Sequence, residues 1–175
     1  IDPHLHPIMA AVLLPMHFIT ALEWSLPWQT VPACPDSDSY WQKIKELEAS
    51  MPNGEPFFTW GYHASWHGEM NRHMLDKISE VRPMVVWHRS FHEVYLNSAM
   101  LTLLEITSEE VGIRPQINFE RGHFYEVGLG YAIQRLNRFI MSEAWIHEGL
   151  GRLKEIVHLG GHTTVGDLAV GLFDY

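Results

Sequence analysis

Ile1-Asp2-Pro3-His4-Leu5-His6-Pro7 opens the chain, and this stretch indicates both a short β-strand and a candidate metal-binding pair of histidines. Side chains two residues apart on a β-strand point to the same side, so His4 and His6 present two imidazoles toward one point. Pro3 and Pro7 bracket the pair, which favours a short strand that ends in a loop. Such a pair can bind one metal ion. The alternative is two ordinary loop histidines.

The composition indicates a globular, acidic chain of 175 residues, 46% of them hydrophobic. This length predicts a single domain, residues 1–175, with a real core. A net charge of −9 without a basic patch argues against nucleic acid as a partner. No apolar run is long enough to cross a bilayer, so no membrane partner is expected. Cys34 is the only cysteine and cannot form an internal disulfide, which predicts a reducing, cytoplasmic location.

Predicted strands alternate with predicted helices, which is typical of α/β proteins with parallel sheets. The clearest strands are predicted at residues 57–62 and 84–88, and the clearest helices at residues 37–51, 127–141 and 143–159. In such folds the chemistry lies at the carboxyl ends of the strands. Polar side chains fall at or just beyond predicted strand ends, namely His4, His6, His63, His88, His92, Glu126 and Asp167.

Several segments, in order along the chain, resemble one known family. They are Ile1–Pro7, Arg82-Pro83-Met84-Val85-Val86-Trp87-His88-Arg89-Ser90-Phe91-His92, Tyr95-Leu96-Asn97-Ser98-Ala99-Met100-Leu101, Gly122-His123-Phe124-Tyr125-Glu126 and Gly160-Gly161-His162-Thr163-Thr164-Val165-Gly166-Asp167. Together they resemble the metal-dependent amidohydrolases and, more narrowly, the branch called YtcJ-like or amidohydrolase family 3. No single segment would suffice, but their shared order makes the resemblance fairly specific.

This resemblance implies a (β/α)₈ TIM-type barrel, usually accompanied by a small β-sandwich built from both chain ends. Such a barrel needs roughly 250 residues, so we expect this chain to supply about the first half of it, without the β-sandwich domain. The chain is then a piece of a longer protein. The later strands, which carry two more histidine ligands and a catalytic aspartate in the wider superfamily, would lie outside it. Exposed barrel edges would favour self-association.

By the same resemblance, His4 and His6 bind a divalent metal ion, most plausibly zinc. Many amidohydrolases use a carboxylated lysine as a further ligand, but the lysines of this chain fall on predicted helices. Glu126 is therefore the candidate for that place. Its alternative role is to begin the following helix, where a carboxylate suits the helix dipole. Asp2 could orient one imidazole or act as a solvated cap.

The resemblance assigns the remaining polar residues to the substrate. His92 is the candidate catalytic residue, hydrogen bonded to the scissile carbonyl, and His63 and His88 are candidate substrate-binding residues. For each the alternative is a structural histidine. Asp167 could contact the pocket or cap a turn. A surface position or packing against aromatic rings is expected for His67 and His73.

The predicted function is hydrolysis of carbon–nitrogen bonds other than peptide bonds by a metal-activated water. The expected substrate is a small amide, formamide or cyclic amide. Two alternatives stay open, and both are non-catalytic. The chain could be an inactive fragment, or it could be a small metal-binding or storage protein, which its 12 histidines would permit.

Overall fold

The computed structural model describes residues 1–168 and 171. These residues group into two compact units, which are described separately. Unit 1 consists of Ile1–His17, Ser25–Thr30 and the described part of Ile133–Tyr175, and unit 2 consists of Phe18–Trp24 and Val31–Ala132. The single domain expected from the length stays a prediction.

Ten strands and eight helices are present among the described residues. The strands are β1 (Asp2–Leu5), β2 (His17–Phe18), β3 (Trp24–Leu26), β4 (Gln29–Val31), β5 (Phe57–Tyr62), β6 (Met84–His88), β7 (Glu93–Leu96), β8 (Ile117–Asn118), β9 (His123–Tyr125) and β10 (Val165–Asp167). The helices are α1 (Pro7–Leu13), α2 (Ser37–Ser50), α3 (Ala64–His67), α4 (Arg72–Asp76), α5 (Ser98–Leu103), α6 (Ser108–Val111), α7 (Val127–Ile140) and α8 (Glu143–Leu159). No helix among residues 1–168 and 171 is both long and apolar enough to cross a membrane.

A six-stranded mixed sheet with the order β2-β5-β6-β7-β9-β8 dominates unit 2. The β5–β6 pair is parallel, whereas β6–β7, β7–β9 and β8–β9 are antiparallel. In this sheet the parallel arrangement expected from the sequence is present between β5 and β6, whereas β7, β8 and β9 join it through antiparallel pairs. Only residues 89–92 separate β6 from β7, and a parallel return would need a crossover of about a dozen residues or more. The partial barrel stays a prediction.

The core of unit 2 is formed where α2 covers the two parallel strands. Every residue of β5 and of β6 is buried, which confirms the two strands predicted from their apolar runs. Helix α2 begins at Asp36, whose side chain accepts a hydrogen bond from the backbone N–H of Ser39 at 2.9 Å, and it buries Tyr40 and Ile44. The helix predicted at residues 37–51 is thereby confirmed, and it ends one residue earlier, at Ser50.

Two buried polar side chains, those of Arg82 and Asn97, hold the start of β6 in place. The Arg82 guanidinium donates to Glu48 Oε1 at 2.9 Å and to the carbonyl oxygens of Pro52 and Glu55, both at 2.8 Å. Asn97 is fully buried, accepts from the backbone N–H of Met84 at 2.9 Å, and donates to the Arg82 carbonyl at 2.9 Å. Because these groups are buried and satisfied, the start of β6 is rigidly positioned.

Unit 1 joins the first and last described strands of the chain. Strand β1 runs parallel to β10, and Leu5 lies opposite Asp167 in the register. Helix α8 crosses α1 at Gly149, where an added Cβ would overlap the backbone carbonyl of Ala11. The Trp145 indole N–H donates to the Val12 carbonyl at 2.9 Å. Only glycine at this crossing lets the two helix backbones approach so closely.

Candidate functional site: two groups of histidines and carboxylates

The opening motif of unit 1 forms the first group, which we call the His4–His6 pair. Their ring centroids lie 5.4 Å apart in an edge-to-face arrangement. Asp167 lies beside this pair because β10 pairs with β1, and its Oδ1 atom is 3.9 Å from Nδ1 of His6. Asp2 accepts a hydrogen bond from the backbone N–H of His4 at 3.0 Å. The structure thus brings together His4, His6 and Asp167.

Nδ1 of His6 is the unusual atom of this group, because it is buried and has no hydrogen-bond partner among the described residues. A buried imidazole nitrogen without a partner costs free energy unless another group satisfies it. A divalent cation would do so, and the nearby carboxylate has the chemistry of a further ligand. Within residues 1–168 and 171, however, no three His, Cys, Asp or Glu side chains are arranged to hold a metal ion. The pair therefore fits part of a ligand set.

The second group lies in unit 2, and we call it the His–Glu row: His63, His88, Glu93 and His123. The His63 and His88 ring centroids are 4.9 Å apart. His88 Nδ1 lies 3.8 Å from one carboxylate oxygen of Glu93, and His123 Nε2 lies 2.6 Å from the other. Because β5 and β6 are parallel, their carboxyl ends bring His63 and His88 to one edge of the sheet. Antiparallel β7 returns Glu93 to the same edge.

Burial shapes the protonation of this row. Burial lowers the pKa of His88, although the Glu93 carboxylate acts in the opposite direction. Burial also lowers the pKa of His123 despite its hydrogen bond to Glu93. Tyr62, which lies edge-to-face with His88, has a pKa raised to about 12, chiefly by burial. The lowered pKa values favour the neutral imidazole of His88 and of His123 at neutral pH.

His92 and Glu126 form an ion pair at the same edge, with Nδ1 and Oε2 3.2 Å apart. Both side chains are exposed, at 66% and 53%. The backbone N–H of Glu126 donates to the His92 carbonyl at 2.9 Å, and Glu126 has a positive φ of 47° directly before α7. The structure thus places the predicted third metal ligand, Glu126, beside the predicted catalytic residue, in unit 2.

Two further histidines and two lysines occupy structural or surface positions. His67 is fully buried, stacks on Tyr40 with centroids 4.1 Å apart, and contacts the Cys34 carbonyl at 3.0 Å, so its predicted packing against aromatic rings is confirmed. The side chain of His73 is 62% exposed, as its predicted surface position requires. Lys43 and Lys45 lie on α2, as predicted.

Sequence reasoning missed Glu93 and His123, although His123 stood within a quoted segment. Glu93 was missed because β7 itself was not predicted. Its signal was weak, because Glu93-Val94-Tyr95-Leu96 is only four residues long and its last three residues are all buried, so that no clear alternation is visible. The Tyr95 hydroxyl donates to Glu93 at 3.2 Å, and the Tyr95 and His123 rings stack at 4.2 Å.

Two solved structures share this fold. They are an uncharacterized metal-dependent hydrolase from Pyrococcus horikoshii OT3, with a TM-score of 0.67, and one from Pyrococcus furiosus, with a TM-score of 0.65. Each is 20% identical to this chain, and each match covers 97% of this chain. The chain spans about 30% of the first neighbour and 31% of the second.

No family model matches the sequence, and no curated protein matches it significantly. The structural likeness therefore defines the class of fold: the architecture of this chain is one that also occurs in metal-dependent hydrolases. At 20% identity, the likeness shows the fold and leaves the chemistry to be argued from the residues.

Proposed function

We propose that this chain forms part of a metal-dependent hydrolase in which His4 and His6 are metal ligands. The partnerless, buried Nδ1 atom of His6, with Asp167 3.9 Å away, is the observation that carries this proposal. Two structural neighbours described as metal-dependent hydrolases support it. Because the chain spans about a third of their length, we propose that further ligands come from a larger protein.

The proposed roles follow the resemblance to the metal-dependent amidohydrolases and are given for each unit by itself. When bound, a divalent ion of the zinc type supplies Lewis acidity beside His4 and His6. Asp167 orients the His6 ring and balances part of the positive charge. In unit 2, His63 and His88 bind the substrate, and His92 hydrogen bonds to its carbonyl. Glu126 holds His92 in position through the contact at 3.2 Å. Whether Glu126 also binds the metal is tested by a zinc competition titration of Glu126→Ala.

The finer proposal concerns the reaction and the family. We assign hydrolysis of a carbon–nitrogen bond in a small amide, formamide or cyclic amide to the whole protein, following the resemblance to the YtcJ-like amidohydrolases. The parallel β1–β10 pair, joined through α1 and α8, supports the start of a TIM-type barrel. A cytoplasmic location and self-association through open strand edges complete the proposal.

Hydrolysis of formanilide, acetanilide and hydantoin by the whole protein in the presence of zinc tests this function. We expect hydrolysis that 1,10-phenanthroline abolishes and that the double variant His4→Ala/His6→Ala lacks. His73→Phe, which alters an exposed histidine, is the matched control and should retain the rate. Hydrolysis that survives both the chelator and the double variant would contradict the proposal.

Metal binding without any hydrolysis would favour the second candidate, a non-catalytic metal-binding protein. The 12 histidines of the sequence are the observation that favours it.

A further inference from the structure

The His–Glu row contains two imidazoles whose tautomers are fixed by their own backbone. The backbone N–H of Ser65 donates to Nδ1 of His63 at 3.1 Å. In the same way, the backbone N–H of Ser90 donates to Nδ1 of His88 at 3.1 Å. A nitrogen that accepts a hydrogen bond carries no proton in the neutral ring, so each ring carries its proton on Nε2.

The two Nε2–H groups are donors without an acceptor in the described part of the chain. Neither forms a hydrogen bond there, whereas His123 Nε2 is engaged by Glu93 at 2.6 Å. The rings lie 4.9 Å apart and tilt by 34°, so both donors belong to one small region. His88 is buried, at 9% exposed, and a donor on a buried ring gains from an acceptor supplied by a ligand.

The charge around these donors decides which acceptor suits them. Glu93 is a carboxylate with a side chain only 27% exposed, and its Oε1 atom lies 3.8 Å from Nδ1 of the His88 ring. Two cations, Arg89 and Arg121, oppose this charge. The Arg89 guanidinium lies over the Trp66 ring at 5.2 Å and acts less strongly than Glu93 on His88. Arg121 acts on His123 less strongly than Glu93 does. A second carboxylate beside these donors would be repelled by Glu93, whereas a neutral carbonyl oxygen would not.

We infer that His63 and His88 form a binding site for a neutral carbonyl oxygen, and that Glu93 excludes carboxylates from this site. The inference rests on the proposed function, because it names the group of an amide-type substrate that these residues recognise. It also assigns Glu93 a part in specificity. Trp66, whose ring lies 4.7 Å from that of His63 and which is 39% exposed, supplies an aromatic wall for the ligand.

Benzamide and benzoate are suitable probes, because they have nearly the same shape and differ in charge. Their binding to the metal-free 175-residue chain can be followed at pH 7.5 by the ¹⁵N and ¹H signals of the histidine side chains. Since neither metal nor turnover is needed, a failure here is distinguishable from a failure of the proposed hydrolase function.

We expect saturable binding of benzamide that shifts the Nε2–H signals of His63 and His88, with benzoate about tenfold weaker. His63→Phe and His88→Phe each keep an aromatic ring but remove one donor, and each should weaken benzamide about fivefold or more. Glu93→Gln should bring benzoate to within about threefold of benzamide. His73→Phe is the control and should change neither affinity.

Equal affinities for benzamide and benzoate in the unchanged chain would overturn the inference. So would benzamide shifts that persist in both Phe variants, or no saturable binding of benzamide. A thermal melt of each variant separates a lost donor from a lost fold. If Glu93→Gln fails to fold, the benzamide-to-benzoate ratio in the unchanged chain and the two Phe variants still decide the matter.

Discussion

The His4–His6 pair and the His–Glu row place similar side chains in very different settings. The pair comes from one short motif on β1, and β10 adds only Asp167. The row is assembled from the ends of four strands, and backbone and side-chain hydrogen bonds fix its rings. The unsatisfied nitrogen of the pair is the reason we propose it as part of a metal site, whereas the satisfied Nδ1 atoms of His63 and His88 are the reason we propose the row as a set of donors.

This difference explains how each group could be found. A motif that is local in sequence is visible without a structure: the spacing of His4 and His6 singled them out, and the resemblance to the amidohydrolases supplied their predicted role as metal ligands. A row that depends on strand order becomes visible only when the sheet is known. The following predictions test whether each group depends on its own surrounding structure, which is the buried Arg82 side chain for the row and the α1–α8 crossing for the pair.

The largest effect should come from removing the buried cation of Arg82, which lies just before the start of β6. Arg82→Ala leaves Glu48 without its partner and several carbonyl oxygens without a donor, so we expect a loss of about 3–5 kcal/mol in the free energy of unfolding. Urea denaturation measures it. Arg114→Ala, which removes only a cation–π contact with Tyr131, is the control, and a similar loss in both variants would contradict the role of Arg82.

A smaller loss should follow from crowding the helix crossing that supports the pair. Gly149→Ala places a methyl group against the Ala11 backbone, which cannot move away cheaply, and should cost about 1–3 kcal/mol. Gly151→Ala lies on the same helix with nothing within 4 Å of the added Cβ, so it should stabilise by about 0.5–1 kcal/mol. Equal effects of the two substitutions in thermal denaturation would show that the close approach does not limit the packing.

Acidification should weaken the part of the molecule that contains the row. Burial lowers the pKa of His67, His88 and His123 in the folded chain. The unfolded chain then binds more protons, so the free energy of unfolding should fall as pH falls from about 6.5 toward the lowered values. Urea titrations at several pH values measure this slope. His67→Phe should flatten it and His73→Phe should not; a stability that rises on acidification would contradict the prediction.

The smallest effect on stability should come from the exposed His92–Glu126 pair. Glu126→Ala removes an ion pair whose partners are 66% and 53% exposed, and such pairs contribute about 1 kcal/mol or less. The same variant tests whether Glu126 is a metal ligand. If it only holds His92, zinc affinity should not change in a competition titration. A tenfold or larger loss of zinc affinity would assign it to the metal instead.

Much of the local structure was predictable because its causes are local. Asp36 and Ser142 each cap a helix through a hydrogen bond to a backbone N–H within three residues, and such signals need no knowledge of the fold. The buried strands β5 and β6 were equally clear from their apolar runs. Strand β7 was missed because residues 89–92 form a tight connection that favours antiparallel pairing, and its four residues carry a weak pattern.

The candidate site was predictable only in part for the same reason. His63 and His88 follow strands that the sequence reveals, so their place at a sheet edge could be expected. Glu93 comes from the unpredicted strand β7, and His123 pairs with it across the β7–β9 register, which no local pattern encodes. Side chains joined by strand order cannot be paired from their spacing along the chain.

Zinc content of the purified chain, measured by elemental mass spectrometry after equilibrium dialysis, tests the proposed division of roles most directly. The unchanged chain and His63→Phe/His88→Phe should each retain about one zinc ion, whereas His4→Ala/His6→Ala should retain none. Zinc that remains in the His4→Ala/His6→Ala variant, or that is lost only from the His63→Phe/His88→Phe variant, would contradict the assignment of the metal to the His4–His6 pair.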